Sequence, residues 1–81
     1  MTSRFDPAAP ASRQDKWRPL WVLLKWDHQF VVAAHDPCTY QFIDGALCLN
    51  FEDGTGAAYY SPNVIGVTNR EELARVWEKN L

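Results

Sequence analysis

The sequence predicts a small α+β domain, in which an antiparallel β-meander of about four or five strands packs with one C-terminal α-helix. Three observations predict this fold class. Apolar residues alternate from Leu20 onward, an Asp-Gly pair separates two alternating runs, and residues 68–81 carry an apolar stripe with helical spacing. With 81 residues, of which 47% are apolar, the chain can build one domain with a modest core.

Residues 1–16 differ in composition from the rest of the chain. They are rich in Pro, Ala and Ser and show no hydrophobic period. We expect these residues to form a flexible N-terminal tail, followed by a single α+β domain at residues 17–81.

The first core element is expected within residues 17–26. Its apolar residues alternate between two faces, one with Leu20, Val22, Leu24 and Trp26 and the other with Trp21 and Leu23. A second run, residues 29–34, is rich in β-forming side chains. These patterns favour two strands, with a helix over residues 17–26 as the alternative because several of its apolar residues are also spaced as on a helix.

The apolar segments are too short to cross a membrane. The longest uninterrupted run, Leu20 to Leu24, falls well below the roughly 20 residues of a spanning helix. The N-terminal residues lack the apolar centre of a signal peptide. Two cysteines, Cys38 and Cys48, fit a reducing compartment. We therefore expect a cytoplasmic protein without membrane association.

Two hairpins are predicted in the middle of the chain. A type I′ turn at Asp44-Gly45 pairs Ile43 with Ala46 and places one apolar face inside, formed by Tyr40, Phe42, Leu47, Leu49 and Phe51. A second hairpin is expected around residues 53–56, where a loop of two or four residues puts Tyr60 inside and Tyr59 outside. Asp36-Pro37 predicts a turn.

The last elements are a short strand at residues 64–67 and a C-terminal helix. A capping box formed by Thr68 and Glu71 is expected to start the helix. Its predicted buried stripe consists of Leu73, Val76, Trp77 and Leu81.

Charge is distributed unevenly along the sequence. Residues 1–25 carry a balance of +3, residues 26–69 contain no Lys or Arg, and the last twelve residues are neutral. The middle segment instead holds five acids, Asp27, Asp36, Asp44, Glu52 and Asp53. Such a segment cannot supply the basic stripe of a nucleic-acid groove. The acids either stabilise turns, where Asp is locally favoured, or form a surface that attracts a basic partner protein.

Metal binding and catalysis are poorly supported by the sequence. The predicted hairpin register places Cys38 and Cys48 on opposite faces of the sheet, so that the two thiols cannot share one metal ion or one disulfide. His35 and Cys38 lie near each other in the sequence but have no arrangement typical of a catalytic pair. We expect no enzyme activity and no cofactor, with a small metal-binding domain kept as an alternative.

Aromatic residues make up 14% of the chain, and not all of them fit in the core. Trp17, Trp21 and Tyr59 do not all fit on the inner face of the predicted sheet. Exposed rings beside acids are typical anchors of a protein–protein interface. The alternatives are that the helix or the tail covers these rings, or that two copies pair through them.

The leading hypothesis is a small, non-enzymatic protein-binding module, an adaptor or an inhibitor, that engages a basic surface of a partner and can block a nucleic-acid-binding site there. The predicted partner-binding residues are Trp17, Trp21, Asp27, Asp36, Asp44, Glu52, Asp53 and Tyr59. The alternative hypothesis is an assembly subunit that forms a homo-oligomer through its Trp-rich strand.

Overall fold

The computed structural model describes residues 13–81, which form a five-stranded antiparallel sheet and one C-terminal helix. The elements are β1 (Arg13–Trp26), β2 (Gln29–Ile43), β3 (Ala46–Phe51), β4 (Gly56–Tyr60), a 3₁₀ turn (Ser61–Asn63), β5 (Val64–Thr68) and α1 (Glu71–Lys79). The predicted α+β fold class is therefore confirmed. Residues 17–26 form a strand and not the alternative helix.

The sheet is curled so that its two edges approach each other. Its strand order is β4-β3-β2-β1-β5, which places β4 and β5 at opposite edges. Yet a 3₁₀ turn of only three residues connects these two strands and also contacts β1. So short a connection requires the two edge strands to be close in space, and the curvature creates an inner face that holds the core.

The core lies on the inner face, where side chains from all five strands meet. The buried members are Leu20, Val22, Leu24, Cys38, Tyr40, Leu47, Leu49, Val64 and Val67, with Ala33, Phe42, Phe51, Ala57 and Tyr59 packed against them. Strand alternation explains most of the set, because residues two apart point to the same side, and register shifts in β2 and β5 bring Cys38 and Val64 to that side as well.

The predicted Asp44-Gly45 hairpin is present with its expected register. Ile43 pairs with Ala46, and the pairing continues through Cys38 and Phe51. Asp44 and Gly45 have φ values of 49° and 79°, as a type I′ turn requires. The two cysteines lie on opposite faces, with Cys38 buried in the core and Cys48 half-buried outside it.

The second hairpin is present, but the register in which its strands pair differs from the predicted register by one residue. Its loop brings the backbone N–H of Phe51 to the carbonyl of Thr55 at 2.9 Å, and Gly54 takes a φ of 90°. Leu47 consequently pairs with Tyr59. Because a shift of one residue reverses the faces of a strand, Tyr59 points inward and Tyr60 is 65% exposed, opposite to the expectation.

Residues 13–16 belong to the sheet and not to the predicted tail. Arg13 and Gln14 pair with Gln41 and Tyr40 of β2, and the Gln14 side chain donates to the Cys38 carbonyl at 3.1 Å. These hydrogen bonds hold the segment in the sheet, although it is polar and has no hydrophobic pattern that would predict a strand. The remainder of the predicted tail, residues 1–12, lies outside the described residues.

The predicted turn at Asp36-Pro37 is instead an irregularity inside β2. Arg18 pairs with Cys38 and Leu20 with His35, so β2 carries one residue more than β1 at this point. Each strand has a proline here, Pro19 and Pro37, which cannot donate a ladder hydrogen bond. The chain accommodates the prolines as a bulge and continues as a strand.

Helix α1 contacts β1, β2 and β5. Ala74 is its buried residue, while Val76 and Leu81 are 51% and 55% exposed, contrary to the predicted stripe. Ala74 does not belong to the inner core. The buried Gly66 and Thr68 pair with Leu23 and Trp21, which point away from that core, so we place α1 on the outer face of the sheet.

The start of α1 also differs from the predicted capping box. The Thr68 hydroxyl accepts from the backbone N–H of Arg70 at 3.0 Å, and no side chain caps the first helical turn. Thr68 is still part of β5, where it pairs with Trp21. Its hydroxyl therefore stabilises the turn between strand and helix and not the helix itself.

Candidate functional site

An open groove of about 780 Å³ lies where the bulge of β1 and β2 meets the loop between β3 and β4. We call it the acidic groove. It is lined by Pro19 and Trp21 of β1, by residues 34–37 of β2, and by Phe51, Glu52, Asp53 and Thr55. None of these lining residues is a Lys or an Arg, and three of them, Asp36, Glu52 and Asp53, are acids.

The bulge determines the shape of one wall of the groove. Pro19 and Pro37 lack backbone N–H groups, so the β1–β2 ladder is irregular between the Arg18–Cys38 and Leu20–His35 pairs. The Asn69 side chain donates to the Pro19 carbonyl at 2.9 Å and holds this backbone in place. Trp21 follows on the outer face of β1, half-buried, with part of its ring surface facing the groove.

The loop between β3 and β4 forms the opposite wall. The Asp53 carboxylate accepts from the Thr55 backbone N–H at 2.9 Å and from the Thr55 hydroxyl at 2.6 Å. These bonds from Thr55 hold the pKa of Asp53 below its ordinary value and fix a charged carboxylate at the rim. Asp53 is therefore ordered and ionised before any ligand arrives.

His35 connects the acidic groove to the core. Its Nε2 lies 2.7 Å from the Tyr59 hydroxyl, and its ring lies 5.8 Å from Phe51 and 5.6 Å from Tyr59 between centroids. Burial lowers the pKa of His35, and the negative charge of Asp36 opposes this effect in part. Since the ordinary value is about 6.5, His35 is neutral at neutral pH and leaves the acids of the groove uncompensated.

Four of the eight predicted partner-binding residues are brought together in this groove, namely Trp21, Asp36, Glu52 and Asp53. Tyr59 lies on the inner side of the sheet and contacts His35, which lines the groove. Its predicted exposed position is wrong because the register of β4 is shifted by one residue. Trp17 is 47% exposed but does not line the groove.

Asp27 and Asp44 lie in the turns at the far ends of β1 and β2. Both have positive φ values, 52° and 49°, which Asp tolerates better than most residues do. At about 3.3 Å per strand residue, Asp27 lies roughly 20 Å along the strand from Trp21. These two acids therefore fit the turn interpretation, whereas the other three acids form the groove.

Sequence reasoning missed His35, Phe51, Thr55 and the two prolines as groove residues. The presence of a proline in each of two adjacent strands is a signal for an interrupted ladder, and the spacing of Asp53 and Thr55 fits a side-chain-stabilised turn. These two features meet because the β2–β3 register pairs Cys38 with Phe51, so that residues 36 and 37 lie beside the start of the loop.

The groove places aromatic surface beside carboxylates. Trp21 and Phe51 offer aromatic surface, which attracts cationic groups, beside three carboxylates. Cys38 is buried, and burial raises the pKa of its thiol, which keeps it protonated and unreactive. Within residues 13–81, no three His, Cys, Asp or Glu side chains are placed to hold a metal ion together.

No protein-family model matches the chain, and no curated protein or solved structure matches it. No helix within residues 13–81 has the length and apolar character needed to cross a membrane.

Proposed function

We propose that this protein is a small, non-enzymatic binding module whose acidic groove receives a basic segment of a partner protein. The observation that carries the proposal is the convergence of Trp21, Phe51 and three carboxylates on one groove without a neighbouring Lys or Arg among its lining residues. An Arg side chain of the partner could place its guanidinium against a ring while it donates to a carboxylate.

The geometry supports Arg or Lys side chains as the recognised groups. Asp36 of β2 and Glu52 and Asp53 of the neighbouring loop all line the groove, so a cation bound there meets more than one negative charge. Complementary charge of this kind raises the rate of association and orients the partner. The prolines and rings supply the apolar contact that ion pairs at an exposed surface cannot provide alone.

A partner that uses the same basic segment to bind nucleic acid would lose that activity when the segment occupies the acidic groove. The protein would then act as an inhibitor by competition and would need no nucleic-acid contacts of its own. Displacement tests this extension directly. We expect the protein to release a labelled Arg-rich peptide from RNA, and the release should be lost when the groove acids are neutralised.

The proposal is tested with two double variants that remove the same charge from different places. Asp36→Asn with Glu52→Gln removes two of the three negative charges of the groove, and Asp27→Asn with Asp44→Asn removes two negative charges from the turns. Asn suits the positive φ of both turn positions, so the control variant should fold. Asp53 is left intact because its bonds to Thr55 stabilise the loop.

Binding of a labelled Arg-rich peptide is measured by fluorescence anisotropy at low and at high salt. We expect the groove variant to bind about 5- to 30-fold more weakly, from roughly 0.5–1 kcal/mol for each of two lost ion pairs, and the turn variant to bind within about twofold of the original protein. Equal weakening in both variants would show that only the net charge matters and would refute the groove as the site.

A further inference from the structure

The second surface of interest is the free edge of β4, which is independent of the acidic groove. Among residues 13–81, β4 pairs only with β3 and forms one end of the sheet. Its sequence, Gly-Ala-Ala-Tyr-Tyr, contains none of the charged or proline residues that proteins commonly use to block an exposed strand edge. An edge of this composition is open to pairing with another strand.

The direction of the backbone groups in β4 follows from two hydrogen bonds at its ends. The Thr55 carbonyl accepts from Phe51, and the Ser61 N–H donates to Gly45, so residues 55 and 61 direct their backbone groups toward β3. Because these groups alternate along a strand, Gly56, Ala58 and Tyr60 direct theirs outward. All three residues are exposed, and together they present three N–H donors and the carbonyls of Gly56 and Ala58, while the Tyr60 carbonyl caps the 3₁₀ turn.

The opposite edge of the sheet is closed. Four of the five residues of β5 are buried, and helix α1 contacts this strand. Copies of the protein therefore cannot assemble into an open filament in which β4 of one copy pairs with β5 of the next. Pairing of β4 with β4 of a second copy remains open, and this arrangement is closed and twofold symmetric.

We propose that β4 is a self-association edge at which two copies of this chain pair in antiparallel orientation, with Ala58 opposite Ala58 of the second copy. In this register the outward groups of Gly56 face those of Tyr60 in the other copy, and Ala58 exchanges two hydrogen bonds with Ala58 of the second copy. The Tyr60 ring, 65% exposed in the single chain, then lies beside a glycine that leaves room for it.

Charge favours the antiparallel orientation over the parallel one. Glu52 and Asp53 precede β4 in the loop, whereas neutral Ser61 and Pro62 follow it. Antiparallel pairing places the acidic loops of the two copies at opposite ends of a strand about 17 Å long, while parallel pairing would bring the like charges together.

Pairing through one short strand buries less surface than a stable dimer needs, so the predicted dimer is weak and depends on concentration. Sedimentation equilibrium of the full chain should show an average mass that rises from one chain of 9.3 kDa toward two between about 10 μM and 1 mM. A strictly monomeric chain at about 1 mM would overturn the proposal.

The register is tested by charge complementation at Ala58. Because Ala58 faces its own copy, Ala58→Lys and Ala58→Glu should each place like charges together and remain monomeric, whereas an equimolar mixture of the two should form a heterodimer at least as tight as the original dimer. Circular dichroism confirms that each variant is folded. Gln41→Lys is the control, since Gln41 is exposed on the same outer face but on β2, and it should dimerise normally.

Two outcomes would overturn this assignment. If Ala58→Lys alone dimerises as the original chain does, the interface lies elsewhere. If the full chain is monomeric but a chain that starts at residue 13 dimerises, the N-terminal residues and not a second copy occupy the edge.

Discussion

His35 is the residue at which the core and the acidic groove meet. It shares a hydrogen bond with Tyr59 and contacts the Phe51 ring, while its other side faces Asp36 and the groove. A proton on His35 would add a positive charge beside the acids and would be buried in part. Both effects give this position a dependence on pH.

The pH dependence has a definite sign. Burial lowers the pKa of His35 in the folded state, so between that value and about 6.5 the unfolded chain binds a proton that the folded chain does not. The contribution of neutral His35 to stability is therefore complete above about pH 6.5 and is lost as the pH falls through the folded-state value.

We predict that the difference in free energy of unfolding between the original chain and His35→Gln changes in the same pH range. The original chain should lose stability relative to the variant as the pH falls. Urea unfolding at a series of pH values measures it. Tyr59→Phe should retain the effect, because burial and not the hydroxyl is its main cause. A difference that is constant with pH would contradict the assignment of His35.

Trp21 and Trp26 provide a matched pair of tryptophans on one strand. Trp21 lines the acidic groove, and Trp26 is 47% exposed at the end of the strand near the turn. We predict that Trp21→Ala weakens binding of the Arg-rich peptide by about 10-fold or more, as expected for an aromatic anchor, and that Trp26→Ala leaves binding unchanged. Anisotropy titration compares them, with thermal unfolding to confirm that both variants fold. Equal effects would contradict the groove as the aromatic contact.

At the scale of elements, the turns determine which side chains reach the groove. The type I′ turn at Asp44-Gly45 fixes the register of β2 and β3, and that register places Phe51 beside Cys38. The following loop then fixes β4 so that Tyr59 reaches His35. Two short turns thus position Phe51 and the His35–Tyr59 pair at the groove.

Gly45 tests the importance of the first turn. An added Cβ would meet no atom within 4 Å, so its φ of 79° alone opposes a side chain. We predict that Gly45→Ala lowers the free energy of unfolding by about 1–2 kcal/mol and that Gly45→Asn lowers it less, because Asn tolerates this conformation. Urea denaturation measures both losses, and a neutral Gly45→Ala would show that the turn is not strained.

The elements also show how far sequence reasoning reaches. Alternation and an Asp-Gly pair were sufficient for the β2–β3 hairpin, since its turn type and its apolar faces independently require one register. The β3–β4 hairpin contains two glycines, Gly54 and Gly56, where the chain can turn. A loop with an odd number of residues and one with an even number place different tyrosines, Tyr59 or Tyr60, on the inner face. Local rules do not decide that choice, because the His35–Tyr59 hydrogen bond and ring contacts join residues distant in the sequence.

At the scale of the whole molecule, the pairing of β2 with both of its neighbours creates the acidic groove. The bulge at Pro19 and Pro37 lies between β1 and β2, and the β2–β3 ladder, which pairs Cys38 with Phe51, brings the loop at residues 52–55 beside it. Four of the eight residues that charge and aromatic content suggested as partner-binding line the groove. The sequence could not separate them from Asp27 and Asp44, which differ only in where the folded chain places them.

The two proposed surfaces are compatible in one assembly. The acidic groove lies at the loop before β4, and antiparallel pairing of β4 would place the grooves of two copies at opposite ends of the joined strands. A dimer would then offer two sites to a partner with repeated basic segments, which raises the apparent affinity without new contacts.

The central claim is that the acidic groove binds basic segments, and its most direct test is an NMR titration of the ¹⁵N-labelled chain with an Arg-rich peptide at low and at high salt. We predict saturable shifts for the Trp21 indole N–H and for the backbone amides of residues 34–36 and 51–55, reduced at high salt. Shifts confined to the Trp26 end of the β1–β2 hairpin, or no saturable shifts, would contradict the claim.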